Sequence, residues 1–402
     1  MSQLTVSPSR PSLDTPLHIR AAGLPPGTTV RITAREQSWR SWATFVADRD
    51  GTVDLHRDAP VDGTYRKPDP MGLIWSMLPT DEPSTSALEL ALDDISPTSV
   101  ERLRLPDGVE VRDVHEEGLV GVLCRPSGPG PWPGVIMLGG AEGGLHADDA
   151  ALLAGHGFVV LALAYFGLPG LPPTALNVPL EYFGTALDFL AGHADRLGVV
   201  GGSKGGEAAL LLAATFPQVR AVVSVCGSGV LTQGIAPARS FLDIMRTPVA
   251  NWTHRDRPLA YLPNVVTPEL VAQVEAGEPI RLQSVFTPGL LLRESLAAAT
   301  IPIERTDAAV LLISSTDDAG YGPEFHAIAA DRLRNHRRPW RHVVHPEAGH
   351  GIIAPPFLPT TNSLSPGPGV TFDMGGTPEA DAVTRALSWT STVDFLTEHL
   401  RG

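Results

Sequence analysis

Val199-Val200-Gly201-Gly202-Ser203-Lys204-Gly205-Gly206 is the stretch on which the reading of this chain turns. The apolar run LGVVGGS that contains its first half reads as a buried strand, and EAALLLAAT just after it reads as a helix. Gly201, Ser203 and Gly205 spell G-x-S-x-G at the junction. A strand that turns at once into a helix needs very small residues two before and two after the turn. Such a turn holds its serine in a strained backbone and lifts Oγ clear of the sheet. The helix that follows aims N–H groups and its positive dipole end at the same place, which makes the Lys204 amide a candidate oxyanion donor. A phosphate loop would need G-x-x-x-x-G-K-[ST], and Lys204 is not placed for one.

A nucleophilic serine needs a base and a carboxylate to orient that base, in the chain order Ser, acid, His in this architecture. The apolar strand Ala309-Val310-Leu311-Leu312-Ile313 runs into Ser314-Ser315-Thr316-Asp317-Asp318. The strand Arg341 to His345 runs into Pro346-Glu347-Ala348-Gly349-His350-Gly351. Both follow the C-terminal ends of strands, where open α/β sheets carry their sites. His350 is the expected base, and the residues alone leave Asp317 and Asp318 as alternatives for the acid. A second oxyanion donor is expected from the glycine loop Gly139-Gly140-Ala141-Glu142-Gly143-Gly144, as the N–H of Ala141 or Glu142. His342 and His345 do not read as metal ligands beside His350, because three-residue spacing on a strand puts them on opposite faces; no metal is expected.

Outward from this site the pattern is of apolar, unalternating strands between helices: GVIMLGG, FVVLALAYF, a helix over Leu180 to His193, VRAVVSVCG, a helix over Glu324 to Arg334, and an amphipathic tail helix from Pro378 to Leu400. That indicates a mostly parallel sheet covered on both faces. The first hundred residues differ. LTVSP, PLHIRAAG, TTVRITARE, SWATFVAD and GTVDLH are short alternating segments between Pro, Gly and Asp turns, as in an antiparallel sandwich. The fold expected is therefore α/β over residues 108–402, preceded by a smaller β-sandwich over 1–107. A Pro-rich stretch over 229–304 fits no simple βα unit and reads as a lid-like insertion over the sheet.

Composition bounds the class. A chain of 402 residues, 43% apolar and 18% charged, buries a large core and is not a disordered polyelectrolyte. A formal charge of −14 argues against nucleic acid as partner. The N-terminal MSQLTVSPSR lacks an apolar signal core, and the longest uncharged stretch is broken by prolines, so a cytoplasmic protein with no membrane partner is expected. Cys124 and Cys226 are too few for a disulfide scaffold and read as buried free thiols.

Several segments in order, DTPLHIRAAGLPPGTTV, GTYRKPDPMGLIWSMLP, GPWPGVIMLGG, LLAGHGFVVLALAYF, GGSKGGE and HPEAGHGIIAPPF, resemble the family of acyl-CoA thioesterases and bile acid-CoA:amino acid N-acyltransferases over nearly the whole chain. The resemblance implies an Ig-like N-terminal sandwich and a C-terminal α/β-hydrolase domain. It implies Ser203 as nucleophile, His350 as base and, from the family's G-x-x-D turn, Asp318 as acid. The chain departs from the family at Ser315, where a glycine is usual, and at Gly320 and Tyr321, where Asn and Trp are usual. The implied activity is serine-dependent hydrolysis of an acyl thioester through an acyl-serine. The alternatives are an acyltransferase that passes the acyl group to an amine, amino acid or alcohol, a hydrolase of carrier-protein thioesters, esters or lactones, and a catalytically dead binding scaffold. No cofactor is implied beyond CoA as part of the substrate; acyl carrier protein is a further partner under the carrier alternative. Arg332, Arg334, Arg337, Arg338 and Arg341 form a candidate patch for the CoA phosphates, against the plainer reading of a solvated helix end.

Overall fold

A computed structural model describes residues 2–401 except 94, 239, 354, 368 and 369. The N-terminal part is an antiparallel sandwich. One sheet orders Gln3–Ser7, His18–Ala22 and Val53–Asp54; the other is built on Trp39–Val46, Thr29–Gln37, Thr85–Leu92 and Thr98–Val100. Thr29–Gln37 alternates as its sequence requires, with Val30, Ile32 and Ala34 turned inward onto Ile19, Phe45 and Leu90. The segment containing GLIW closes the sandwich as a short helix, Gly72–Trp75, with Leu73 and Ile74 fully buried. Gly72 is obligatory there, because a Cβ would collide with the Tyr65 ring. Trp75 Nε1 donates to Asp69 at 2.7 Å.

The larger part is built on one eight-stranded sheet. Its strands are β1 (Val109–Val114), β2 (Val120–Pro126), β3 (Gly134–Leu138), β4 (Val159–Ala164), β5 (Leu197–Gly202), β6 (Val219–Val225), β7 (Ala309–Ser315) and β8 (Trp340–His345). They lie in the order β1-β2-β4-β3-β5-β6-β7-β8. Only β2 runs against its neighbours; β4, β3, β5, β6, β7 and β8 pair parallel. The helices are α1 (Ala147–Gly155), α2 (Leu180–Ala191), α3 (Lys204–Thr215), α4 (Pro323–Leu333) and α5 (Pro378–Leu400). Successive strand residues feed opposite faces. Ile136, Leu161, Val199 and Val310 pack under α2 and α3, while Val135, Val160, Val223 and Leu311 pack against α1 and the end of α5. Every residue of β3, β4, β5 and β7 is buried. This is the α/β-hydrolase fold behind an N-terminal sandwich.

The described residues of 229–304 form short irregular pieces, among them helices Phe241–Arg246 and Pro268–Glu275. Their base is part of the main core: Val230, Leu231, Trp252, Leu262 and Ile301 join the cluster that holds α3. Trp252–His254 pairs in parallel with Val178–Pro179. The two parts of the chain meet at α5, whose Ala382 is buried in the sandwich core and whose Trp389 donates to Asp14 at 2.9 Å. Buried Arg102 ion-pairs with Glu36 at 2.6 Å and donates to the Phe357 carbonyl.

Candidate active site

β5 is apolar on both sides until Gly202, and the chain then reverses within one residue. Ser203 takes φ +52°, ψ −121°, in the left-handed region that a serine seldom visits. Close approach explains the flanking glycines: a Cβ on Gly201 would collide with the Gly205 carbonyl, and one on Gly205 with the carbonyl of Gly139. Ser203 therefore sits at the first turn of α3, with its side chain free of any capping role.

β7 and β8 lie side by side, so the loops that leave their C-terminal ends reach the same rim as Ser203. His350 begins a short 3-10 turn, His350–Ile353, and its amide donates to the Met374 carbonyl at 2.8 Å. Its Nε2 lies 2.9 Å from Ser203 Oγ and its Nδ1 lies 2.7 Å from Asp318 Oδ1. Asp318 is 2% exposed and also accepts the Gly320 N–H at 2.8 Å. Gly320 must be glycine, because a Cβ would enter the His350 ring. Burial works against the charged form of both groups, but their mutual attraction outweighs it: Asp318 stays below the ordinary carboxylate range and His350 is raised.

Asp317 is turned the other way. Its carboxylate is about half exposed, ion-pairs with Arg281 and accepts the Gly376 N–H at 2.8 Å. The structure thus brings Asp318, not Asp317, to His350.

In the glycine loop after β3, Tyr165 OH donates to the Gly139 carbonyl at 2.8 Å. The Gly140 amide donates to Glu142 Oε1 at 2.7 Å, and the Glu142 amide faces its own carboxylate. Among the described residues, the Ala141 and Lys204 amides donate to no protein acceptor. The Lys204 side chain does not reach the rim. It is buried, contacts Thr232 Oγ1, and lies 3.4 Å from Glu207 Oε2. Glu207 also accepts from Thr232 N (3.1 Å), Thr232 Oγ1 (2.7 Å), Tyr321 OH (3.3 Å) and Trp252 Nε1 (2.8 Å).

Sequence reasoning missed this carboxylate; it read Cys226 as a buried free thiol, which it is, but did not reveal its place beside Asp318 and His350. Glu207 was visible only as the last letter of GGSKGGE, four residues after the serine. Cys226, at φ +44°, places Sγ, Asp318 and His350 ligand atoms within 4.8 Å of one another. Burial, followed by the Asp318 charge, pushes this thiol up, which keeps it protonated. Both ring nitrogens of His350 are already engaged by Ser203 and Asp318, and the thiol is protonated, so this trio does not fit a metal site.

The arginine patch takes its plainer reading. Arg332 pairs with Glu304, Arg334 with Asp331, Arg338 with Asp307 and Arg341 with Glu398. The cluster also lies before and at the start of β8, at the end of the sheet away from Ser203.

With this geometry in hand, comparison with known proteins is specific. Residues 178–402 match the family model described as BAAT / acyl-CoA thioester hydrolase C terminal, and residues 14–116 match the acyl-CoA thioester hydrolase/BAAT N-terminal region. The chain belongs to the acyl-CoA thioester hydrolase/BAAT family. It is 31% identical to acyl-coenzyme A amino acid N-acyltransferase 2 of Mus musculus, over 100% of this chain and 98% of that protein. It is also 31% identical to acyl-coenzyme A thioesterase 1 of Rattus norvegicus, over 99% and 97%. Among solved structures, a puromycin-hydrolyzing peptidase of Mycobacterium tuberculosis aligns with a TM-score of 0.46 at 13% identity, covering 99% of this chain and 68% of that one. As a member of this family, the chain is a hydrolase-fold enzyme with relatives of two named activities.

Proposed function

We propose that this protein hydrolyses acyl thioesters, with CoA esters as the substrate class, through an acyl-serine on Ser203. The observation that carries the reading is the contact chain from Ser203 Oγ through His350 to Asp318, at 2.9 and 2.7 Å, on a strained turn. Ser203 Oγ attacks the thioester carbonyl while its proton passes to His350 Nε2; Asp318 holds the ring and stabilises the imidazolium. The Lys204 and Ala141 amides, which have no other acceptor, take the oxyanion, each lowering the barrier by about 3 kcal/mol. The C–S bond breaks as His350 gives the proton to the departing sulfur, so a neutral thiol leaves and the imidazole is a free base again. His350 then accepts a proton from water, hydroxide adds to the acyl-serine, and return of that proton to Oγ frees the acid.

The second reading, transfer of the acyl group to an amino acid, has support in the N-acyltransferase relatives. It shares every step up to the acyl-serine. A carrier-protein thioester would enter by the same route. The proposal includes a cytoplasmic setting, in which the free thiols Cys124 and Cys226 stay reduced. Among the described residues no helix is long and apolar enough to cross a membrane.

Incubation with a panel of acyl thioesters, with and without amino-acid acceptors, followed by intact-mass measurement tests the reading. An acyl adduct on wild type and none on Ser203→Ala is the expected result. A fluorophosphonate probe that labels Ser203→Ala as well as wild type would end it.

A further inference from the structure

One ionic cluster beside the nucleophile has no part in this mechanism. The Glu142 side chain is 58% exposed and bends back over its own loop. A methyl group built on Gly140 would touch both Glu142 Oε2, at 2.6 Å, and Ser203 Cβ, at 3.2 Å. The carboxylate thus stands one methyl's width from the nucleophile. Its other oxygen accepts the Gly140 N–H at 2.7 Å and lies 2.9 Å from His146 Nε2. His146 Nδ1 lies 3.3 Å from Asp149. With a carboxylate at each ring nitrogen, Asp149 first and then Glu142 push His146 up to about 10, so it is an imidazolium at neutral pH. The cluster therefore sums to one negative charge. It lies on the glycine loop close to Ser203, so a charged group that leaves or enters at an acyl-serine there passes within its field.

We propose that Glu142 is a specificity-determining residue for the leaving and accepting groups: its negative cluster disfavours a carboxylate carried by the thiol or amine and so commits the acyl-serine to water rather than to a free amino acid. The inference rests on the acyl-serine reading above and deepens it. Water and neutral nucleophiles feel no repulsion. An amino acid that attacks as its free amine brings a carboxylate a few bonds from the reacting nitrogen. At about 7 Å and with the screening of a half-exposed site, one like charge disfavours such a group by roughly five- to tenfold. Departure of a thiol and attack by an acceptor use the same path in opposite directions, so a leaving group reports on the acceptor.

The test compares kcat/KM for two thioesters of one acyl chain, made with mercaptoacetate (anionic) and with mercaptoacetamide (neutral). Wild type is expected to favour the neutral thiol's ester five- to tenfold, and added salt to narrow the gap. Glu142→Gln keeps the hydrogen-bonding side chain and removes the charge; it should bring the ratio close to one. Glu142→Asp should restore the preference. The readout is a ratio, which a loss of loop support common to both substrates does not move. Turnover with the same ratio in wild type and Glu142→Gln overturns the inference. No turnover of either ester by wild type overturns the proposed function instead, and this inference with it.

Discussion

Trp252 donates its indole N–H to Glu207 Oε1 at 2.8 Å, so a residue in the middle of the irregular 229–304 stretch is bonded to the helix that starts at Ser203. The same carboxylate receives Thr232 from the beginning of that stretch and Tyr321 from just beyond Asp318. One buried anion thus gathers three segments under the rim. Among the described residues its one cationic partner is Lys204, which is buried as well.

That arrangement predicts an asymmetric response. Glu207→Ala leaves the Lys204 ammonium without its anion and several donors without an acceptor, so unfolding free energy should fall by about 3–5 kcal/mol. The double variant Glu207→Leu, Lys204→Met should recover a good part of the loss. Urea denaturation of the three proteins checks it; equal losses in single and double variants would show that the pair is not coupled.

For Ser203→Ala, kcat should drop on the order of a millionfold while the far-UV circular dichroism spectrum stays the same. Turnover within tenfold of wild type would place the chemistry elsewhere.

His350 must be neutral to take a proton from Ser203. Burial alone would lower its pKa, but Asp318 outweighs burial and the net shift is upward. The acid limb of kcat/KM should therefore have its midpoint above the ordinary imidazole value of about 6.5, with activity rising as pH rises through it. Asp318→Asn should lower kcat by about ten thousandfold and move the limb to lower pH; Asp317→Asn should do neither.

His326 gives a second pH signature, in stability. It is buried, accepts the Gly227 N–H at 3.2 Å, and lies 2.8 Å from Ser224 Oγ and 2.9 Å from Ser314 Oγ. Burial first, then His342, lowers it to about 3. Between its unfolded value near 6.5 and about 3, the unfolded chain holds a proton that the folded chain does not. Stability should fall as pH drops through this window, by at most about 1.4 kcal/mol per unit. His326→Gln should remove that slope, read as the pH dependence of the urea midpoint relative to wild type.

Gly205→Ala is expected to be disproportionately harmful. The added methyl meets the Gly139 and Leu138 carbonyls, forcing the β3 loop away from α3. A loss of about 1–3 kcal/mol should come with reduced labelling by a fluorophosphonate, whereas Gly277→Ala, with no atom near its Cβ position, should retain labelling.

The elbow could be read in the sequence because its constraints are local. The tight turn around Ser203 dictates its own neighbours, and the two loops carrying Asp318 and His350 follow buried strands whose apolar runs are hard to mistake. The choice between Asp317 and Asp318 is not local. It is made by Arg281 on one side and the Gly320 amide on the other, and only folding brings Arg281 near. Glu207 was illegible for the same reason, since its partners Thr232, Trp252 and Tyr321 are contributed by distant segments. The 229–304 stretch lacks a long periodic element, so packing on Trp252 rather than any hydrophobic pattern gives it shape. For the arginine run the plainer reading holds, but its partners were out of sight: Glu304 and Asp307 come from one distant segment and Glu398 from another.

Asp381 and Ala382 are consecutive residues near the start of the last helix, yet they serve different parts of the molecule. Asp381 Oδ1 accepts the Gly349 N–H at 2.7 Å, next to the base, and Ala382 is lodged in the sandwich core. The small leading unit thereby braces the loop of His350, the proposed base, and any engineer who trims it to obtain a minimal hydrolase should expect to inherit a misaligned imidazole.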